Sequence, residues 1–233
     1  MVVYMKARRR VGLLIPASDI VIEVDLWRHL PPELTLHVAR MFLGATTVEG
    51  EERMLQEELE PAASRVASVL PEFAVFGCTS ASALHGLEGD RAISLQISKL
   101  TNCPCTTVIQ TIIHEVGLLQ INRLLLITPY VDALNHKLIN TLRAAGLPVS
   151  RASGLGLVDD PAIAAVDPTE IQQYAMDIYS KEATQPDCIF ISGTTFRGFD
   201  AVEGLEKQLG IPVLSSNLCV LKAIYRHFNL AYP

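Results

Sequence analysis

Apolar residues fall in short unbroken runs along the chain. Each run is followed by polar or Gly/Pro punctuation and then by a helical spacing. VGLLIP (11–16), EFAVFG (72–77), PCTTVI (104–109), RLLLITP (123–129), CIFISG (188–193) and IPVLSS (211–216) predict strands. The stretches 50–70, 82–100, 109–120, 131–146, 168–183, 199–210 and 217–229 predict helices. Runs without polar alternation are those of strands buried on both faces, and strands alternating with helices predict an α/β fold with parallel sheets. Gly146-Leu147-Pro148 and Gly210-Ile211-Pro212 are helix stops, with glycine past the last turn and proline beyond it. A division near 115–122 assigns residues 1–115 plus 217–233 to a first α/β domain, onto which the C-terminal helix packs back. Residues 116–216 then form a second α/β domain.

The two halves echo each other. FAVFGCTSASALHGLE (73–88) and CIFISGTTFRGFDAVEGLE (188–206) both run from apolar strand through a small residue to a pivotal position, two hydroxyl residues and a helix. Cys78 is the pivot in one and Gly193 in the other, and Thr79-Ser80 answer to Thr194-Thr195. A duplicated unit predicts two similar domains facing across a cleft. Ligands of parallel sheets sit at the carboxyl ends of the strands, where both pivots fall. Small and hydroxyl residues also suit any strand-to-helix turn as caps, so the matched pair carries more weight than either segment alone.

Composition narrows the function. The 233 residues are 49% hydrophobic and 19% charged, enough apolar material for a buried core and too little charge for disorder. A net charge of −6 argues against a general nucleic-acid binder. No apolar run reaches the length of a membrane span, and the apolar-then-basic start reverses the order of a signal peptide. Lys6, Arg8, Arg9 and Arg10 read as a solvated lead-in to the first strand. Five cysteines without paired metal-ligand spacing suggest neither a disulfide framework nor a metal site, and a reducing cytoplasm is the expected compartment.

Cys78 is the candidate reactive group. At a strand-to-helix turn the helix N-terminus would lower its pKa and favour a thiolate, a nucleophile or proton carrier. Cys103, Cys105, Cys188 and Cys219 read as structural. His85 reads as a surface or packing histidine rather than a base, and the spacing of His37 and Arg40 does not decide whether they lie near the cleft.

Several segments together resemble the aspartate/glutamate racemase superfamily, in the branch of maleate cis–trans isomerases and arylmalonate decarboxylases. They are IPASDIVIEVDLWRHLP (15–31), FGCTSASALHG (76–86), PCTT (104–107), ITPYVDALN (127–135), LGLVDDPAIAAVD (155–167) and ISGTTFRGFDAVEGLEKQLGIPVLSSN (191–217). The resemblance implies two flavodoxin-like parallel-sheet domains related by a pseudo-twofold axis, an active site in the cleft between them, and neither metal nor organic cofactor. It implies one catalytic position from each half, with Cys78 at the first and Gly193 at the second. Racemases and isomerases carry cysteine at both positions, whereas the decarboxylases keep only the second, so Cys78 with Gly193 is the mirror of the decarboxylase pattern.

The expected activity is therefore a cofactor-independent isomerisation of the maleate isomerase type on a small carboxylate, through a Cys78 thiolate. A decarboxylase protonating from Cys78, or a non-catalytic carboxylate-binding protein, is the alternative, and two-base racemisation lacks its second group. The resemblance gives Tyr130 a role in binding a substrate carboxylate. Ser18, Thr79, Ser80, Thr194, Thr195, Ser216 and Asn217 stand at strand ends as oxyanion donors. Asp19 and Asp160 fall at or near positions where the isomerases carry asparagine. Ionised aspartates there would repel a dicarboxylate by several kcal/mol in a dry site, so a substrate with fewer negative charges, or an amino-acid-like one, is expected. Capping or surface roles are the plainer reading of both. The sequence leaves open a homodimer or higher homo-oligomer.

Overall fold

The structure, a computed structural model, describes residues 8–233, so the Lys6 part of the basic lead-in lies outside the described residues. The chain forms two α/β halves, each built on a four-stranded parallel sheet. The first half carries β1 (Arg9–Pro16), α1 (Ile22–His29), β2 (Leu34–Met41), α2 (Val48–Ala67), β3 (Phe73–Phe76), α3 (Thr79–Ala83), α4 (Gly86–Thr101), β4 (Cys105–Thr107) and α5 (Val108–Gly117). The second carries β5 (Leu124–Thr128), α6 (Asp132–Ala144), β6 (Val149–Gly154), α7 (Asp160–Ala165), α8 (Pro168–Ser180), β7 (Cys188–Ile191), α9 (Gly198–Leu209) and β8 (Val213–Ser215), and α10 (Ser216–His227) follows it.

The sheet orders are β2-β1-β3-β4 and β6-β5-β7-β8, so the second half repeats the topology of the first strand for strand. The central strands are apolar along their inner length because helices cover both faces: Val11, Leu13, Leu14 and Ile15 of β1 and Leu124–Ile127 of β5 are fully buried. α10 packs against α5, α1 and β3 of the first half as well as α9 and β8 of the second, joining the halves into a shared core. Among the described residues no helix is long and apolar enough to cross a membrane.

Four elements lie outside the predicted set: β2, β6, α1 and α7. The predicted helix over 82–100 corresponds to α4, which Gly86 opens at φ +66, and α3 precedes it, overlapping the prediction only at Ser82 and Ala83. Arg9 and Arg10 are the first residues of β1 rather than a lead-in to it, and Arg9 pairs with Glu72 at 3.0 Å on the surface.

Candidate active site

In a doubly wound sheet the strand order reverses between the first and third strands, and the connections leaving them part to form a crevice. Here that crevice lies beyond β1 and β3 in one half and beyond β5 and β7 in the other. The four connections supply Ser18 and Asp19, Cys78, Tyr130, and Gly193 with Thr194 and Thr195. Cys78, Glu51, Ser80 and Thr46 from the first half line one small cavity. Tyr130, Asp160, Gly193, Thr194 and Thr195 close it from the second, leaving about 10 Å³, room for about one water.

Cys78 ends its strand connection extended (φ −140) and precedes the five-residue helix α3. Its Sγ donates to Glu51 Oε2 at 3.4 Å and lies 3.5 Å from Ser80 Oγ, and Ser80 donates in turn to Glu51 Oε1. Phe76, Met54 and Ala81 pack in the same apolar cluster, and the residue is 3% exposed. Burial pushes the thiol well above its ordinary pKa and the neighbouring Glu51 charge pushes it further, against the Ser80 hydrogen bond. The expectation of a standing thiolate is thereby corrected. The helix that follows is one short turn, and its field is outweighed by the absence of water and by a carboxylate in direct contact.

Glu51 comes from the first turn of α2 and is fully buried. Burial raises its carboxyl to about 7, opposed by the hydrogen bonds from Ser80 and Cys78. Sequence reasoning missed it. Its spacing from Met54, Leu59 and Ala62, the buried face of the same helix, was the available signal.

Tyr130 is placed by a closed set of local bonds. Its N–H donates to Thr128 Oγ1 at 3.2 Å, Thr128 donates to Asn135 Oδ1 at 2.6 Å, and Asn135 Nδ2 donates back to the Tyr130 carbonyl at 3.2 Å. The phenol is held neutral, well above its ordinary pKa, by burial and by its neighbours Cys78 and Glu51. Asp160 Oδ1 accepts from Thr46 at 2.7 Å and Oδ2 from Ser18 at 2.5 Å, so two residues of the first half clasp a carboxylate of the second. Thr46 N also donates to the Val158 carbonyl at 2.9 Å, which ties the two outer loops together.

Other predicted residues stand behind the cavity wall. Ser18 lines a neighbouring surface recess of about 210 Å³ through which it reaches Asp160. Asp19 is fully buried and accepts from Val21 N at 2.9 Å and Ile22 N at 3.2 Å, just ahead of α1, whose N-cap is Val21. Burial raises its pKa, chiefly against the Val21 amide and the Thr194 hydroxyl. Ser216 Oγ accepts from Gly193 N at 3.0 Å and meets Thr79 Oγ1 at 3.1 Å, so one hydroxyl ties both pivot turns together. Asn217 Nδ2 donates to Asp25 Oδ2 at 2.8 Å and to the Thr194 carbonyl at 3.0 Å. Thr79, Ser216 and Asn217 therefore support the walls rather than form them.

Gly193 takes φ +120, a conformation that side chains disfavour, and a Cβ there would meet Phe196 Cβ at 3.1 Å and Pro129 Cγ at 3.2 Å. The echo between the halves is incomplete at this point. α3 begins directly after Cys78, whereas α9 begins only at Gly198. His85 lies outside the site and meets Glu52 at 3.0 Å on the surface. Arg40 donates to the Ala17 and Asp19 carbonyls at 3.0 and 2.8 Å and braces the β1 connection from outside, while His37 pairs with Thr35. All five cysteines are free, and among the described residues no three His, Cys, Asp or Glu are grouped to hold a metal.

A cysteine, a buried carboxylate and a phenol facing a glycine turn across two duplicated α/β lobes define the class: a two-lobed cleft protein equipped for proton or nucleophilic chemistry. The family model for arylmalonate decarboxylase (Amdase) matches residues 11–231, and the chain belongs to that family. It is 26% identical to the arylmalonate decarboxylase of Bordetella bronchiseptica over 207 residues, covering 89% of this chain and 85% of the relative. It is 25% identical to a maleate isomerase of Nocardia farcinica over 232 residues, covering 95% and 91%. In three dimensions it is similar to a cysteine-to-serine variant of Nocardia farcinica maleate cis–trans isomerase with a covalently bound succinylcysteine intermediate. The TM-score is 0.86, with 23% identity and coverage of 95% of this chain and 93% of that one.

Proposed function

We propose that this protein is a cofactor-independent isomerase of the maleate isomerase type, acting on a small carboxylate substrate through Cys78. The observation that carries the reading is that Cys78 lines the same cavity as Tyr130, Thr194 and Thr195, together with Gly193. Cys78 adds to one carbon of an alkene conjugated to the carboxylate, and the π pair moves onto the carboxylate as an enediolate. Tyr130 and Thr195 stabilise that oxyanion by hydrogen bonds. The former double bond, now single, rotates, and the returning electron pair expels the sulfur. No second side chain is required on the Gly193 face.

Among the described residues that line the cavity are Glu51 and Asp160, and no Arg, Lys or His. That balance favours a monoanionic or amino-acid-like substrate over a dianion. A second reading is supported by the neutral state of the thiol: a protonated Cys78 is also suited to donate a proton to an enediolate left by loss of carbon dioxide.

The test is turnover by the purified chain of cis-alkenoic acids, maleate, arylmalonates and unsaturated amino acids, followed by proton NMR and carbon dioxide release. A cis–trans change abolished by Cys78→Ala supports isomerisation, and carbon dioxide release points to the second reading. Turnover undiminished in Cys78→Ala sinks both.

A further inference from the structure

Buried carboxylates in folded proteins are ordinarily paired with a cation or capped by backbone amides, because an isolated one is costly. Among the described residues Glu51 has neither: its side chain hydrogen-bonds only to the Cys78 thiol and the Ser80 hydroxyl. Such a group adds nothing to the architecture that an apolar residue on the same helix face would not supply better. The three side chains form a closed triangle: Cys78 Sγ to Glu51 Oε2 at 3.4 Å, Cys78 Sγ to Ser80 Oγ at 3.5 Å, and Ser80 to Glu51 Oε1. Ser80 occupies one carboxylate oxygen and turns the other towards sulfur. Glu51 and Ser80 also face the cavity beside Cys78.

From this geometry we propose that Glu51 is the general base that removes the Cys78 proton as the sulfur bonds to carbon, with Ser80 as the positioning residue. The inference rests on the reading of Cys78 as the reacting group. The electron pair of the S–H bond forms the S–C bond, and the proton passes from Sγ to Glu51 Oε2. The alkene π pair moves onto the neighbouring carbon and its carboxylate. On elimination the pair restores the double bond, the S–C electrons return to sulfur, and Glu51 returns its proton. Atoms and charge balance without a co-reactant, and no free thiolate has to exist beforehand. Glu51 lies on the Cys78 side, so proton and nucleophile act from one lobe and the Gly193 face stays bare.

Acrylamide, a small neutral alkene, probes the step without knowledge of the substrate. Its rate of addition to Cys78 in the full chain is measured against pH by mass spectrometry of the Cys78 peptide. In the wild type the rate rises as Glu51 ionises and then levels. Glu51→Gln removes that inflection and slows addition near pH 8 by about a hundredfold, within the range of general-base effects. Its rate recovers only where the thiol ionises unaided. Glu51→Asp, which withdraws the carboxylate by one methylene, keeps the inflection and reacts at an intermediate rate. It serves as the deciding variant if Glu51→Gln fails to fold. Addition in Glu51→Gln as fast as in the wild type, or faster, overturns the assignment: Glu51 would then only suppress ionisation by like charge. A wild-type rate in Glu51→Asp overturns it equally. Absence of Cys78 modification in the folded wild type at every pH counts against Cys78 itself, and so against the proposed function as well.

Discussion

At Cys78 the chain passes from β3 straight into a helix, whereas at Gly193 it leaves β7 with φ +120 and runs on to Gly198 before α9 begins. The two turns occupy equivalent places in sheets of identical strand order, yet only the first can carry a side chain at low cost. On the first side the side chain is a thiol with a buried carboxylate behind it. On the second, Phe196 and Pro129 crowd the space a Cβ would need. The two halves thus share a scaffold and the location of the cleft, while the backbone at one pivot differs enough to disfavour a side chain there. Restoring a cysteine at Gly193 is therefore more than an exchange of side chains.

The contrast is broken most directly at Cys78. Cys78→Ala is expected to lower turnover roughly 10³-fold or more while the fold persists, as judged by kcat/KM and circular dichroism. Next comes pH. Burial raises Glu51 from 4.5 to about 7 and Asp25 from 3.8 to about 6. Each holds a proton in the folded chain where the unfolded chain has lost it, so their contribution to stability falls as pH rises from about 4 to about 7 and then levels. The Glu51 share is about 3 kcal/mol, and thermal melts in Glu51→Gln should show a correspondingly shallower fall. An identical pH dependence in Glu51→Gln and the wild type would contradict it. On the other side, Gly193→Ala is expected to cost about 1–3 kcal/mol in urea unfolding through the positive φ alone. Ser216→Ala follows at about 1–2 kcal/mol in the same measurement, from the Gly193 N–H left without its acceptor. The smallest effect belongs to Ser82→Ala in α3, on the Cys78 side. It removes a buried hydroxyl that has no hydrogen-bond partner among the described residues, so urea unfolding should be unchanged or slightly harder.

What the sequence disclosed follows from where each element lies. The inner strands β1, β3, β5 and β7 are covered on both faces, so their apolar runs stand out without a partner sequence. β2 and β6 are edge strands, and their runs are interrupted by His37 and Arg40 in one and by Ser150, Arg151 and Ser153 in the other. α1 is half-exposed, with Trp27 and Val24 facing solvent among charged neighbours, and α7 has only six residues, too few to display a period. In the site, Cys78 and the Gly193 turn were legible because they follow the ends of inner strands, whereas the expectation for Tyr130 came from the family resemblance. Glu51 was hidden among the other glutamates of α2, where composition reads as a solvated face and only the register with Met54 marks one acid as buried. The ionisation of Cys78 was misjudged for a related reason. A sequence shows a strand-to-helix turn, but not the carboxylate that another helix brings against it.

The hydroxyl of Ser216, shared by Thr79 from one lobe and the Gly193 amide from the other, fastens the floor of the cleft, while Thr46 and Asp160 meet at its rim. Each tie joins a residue of one half to a residue of the other, so the spacing of the cleft walls is set by both lobes together. The molecule is thus built like a purse, seamed at the base and drawn shut at the mouth. The drawstring is a threonine–aspartate contact between the two halves.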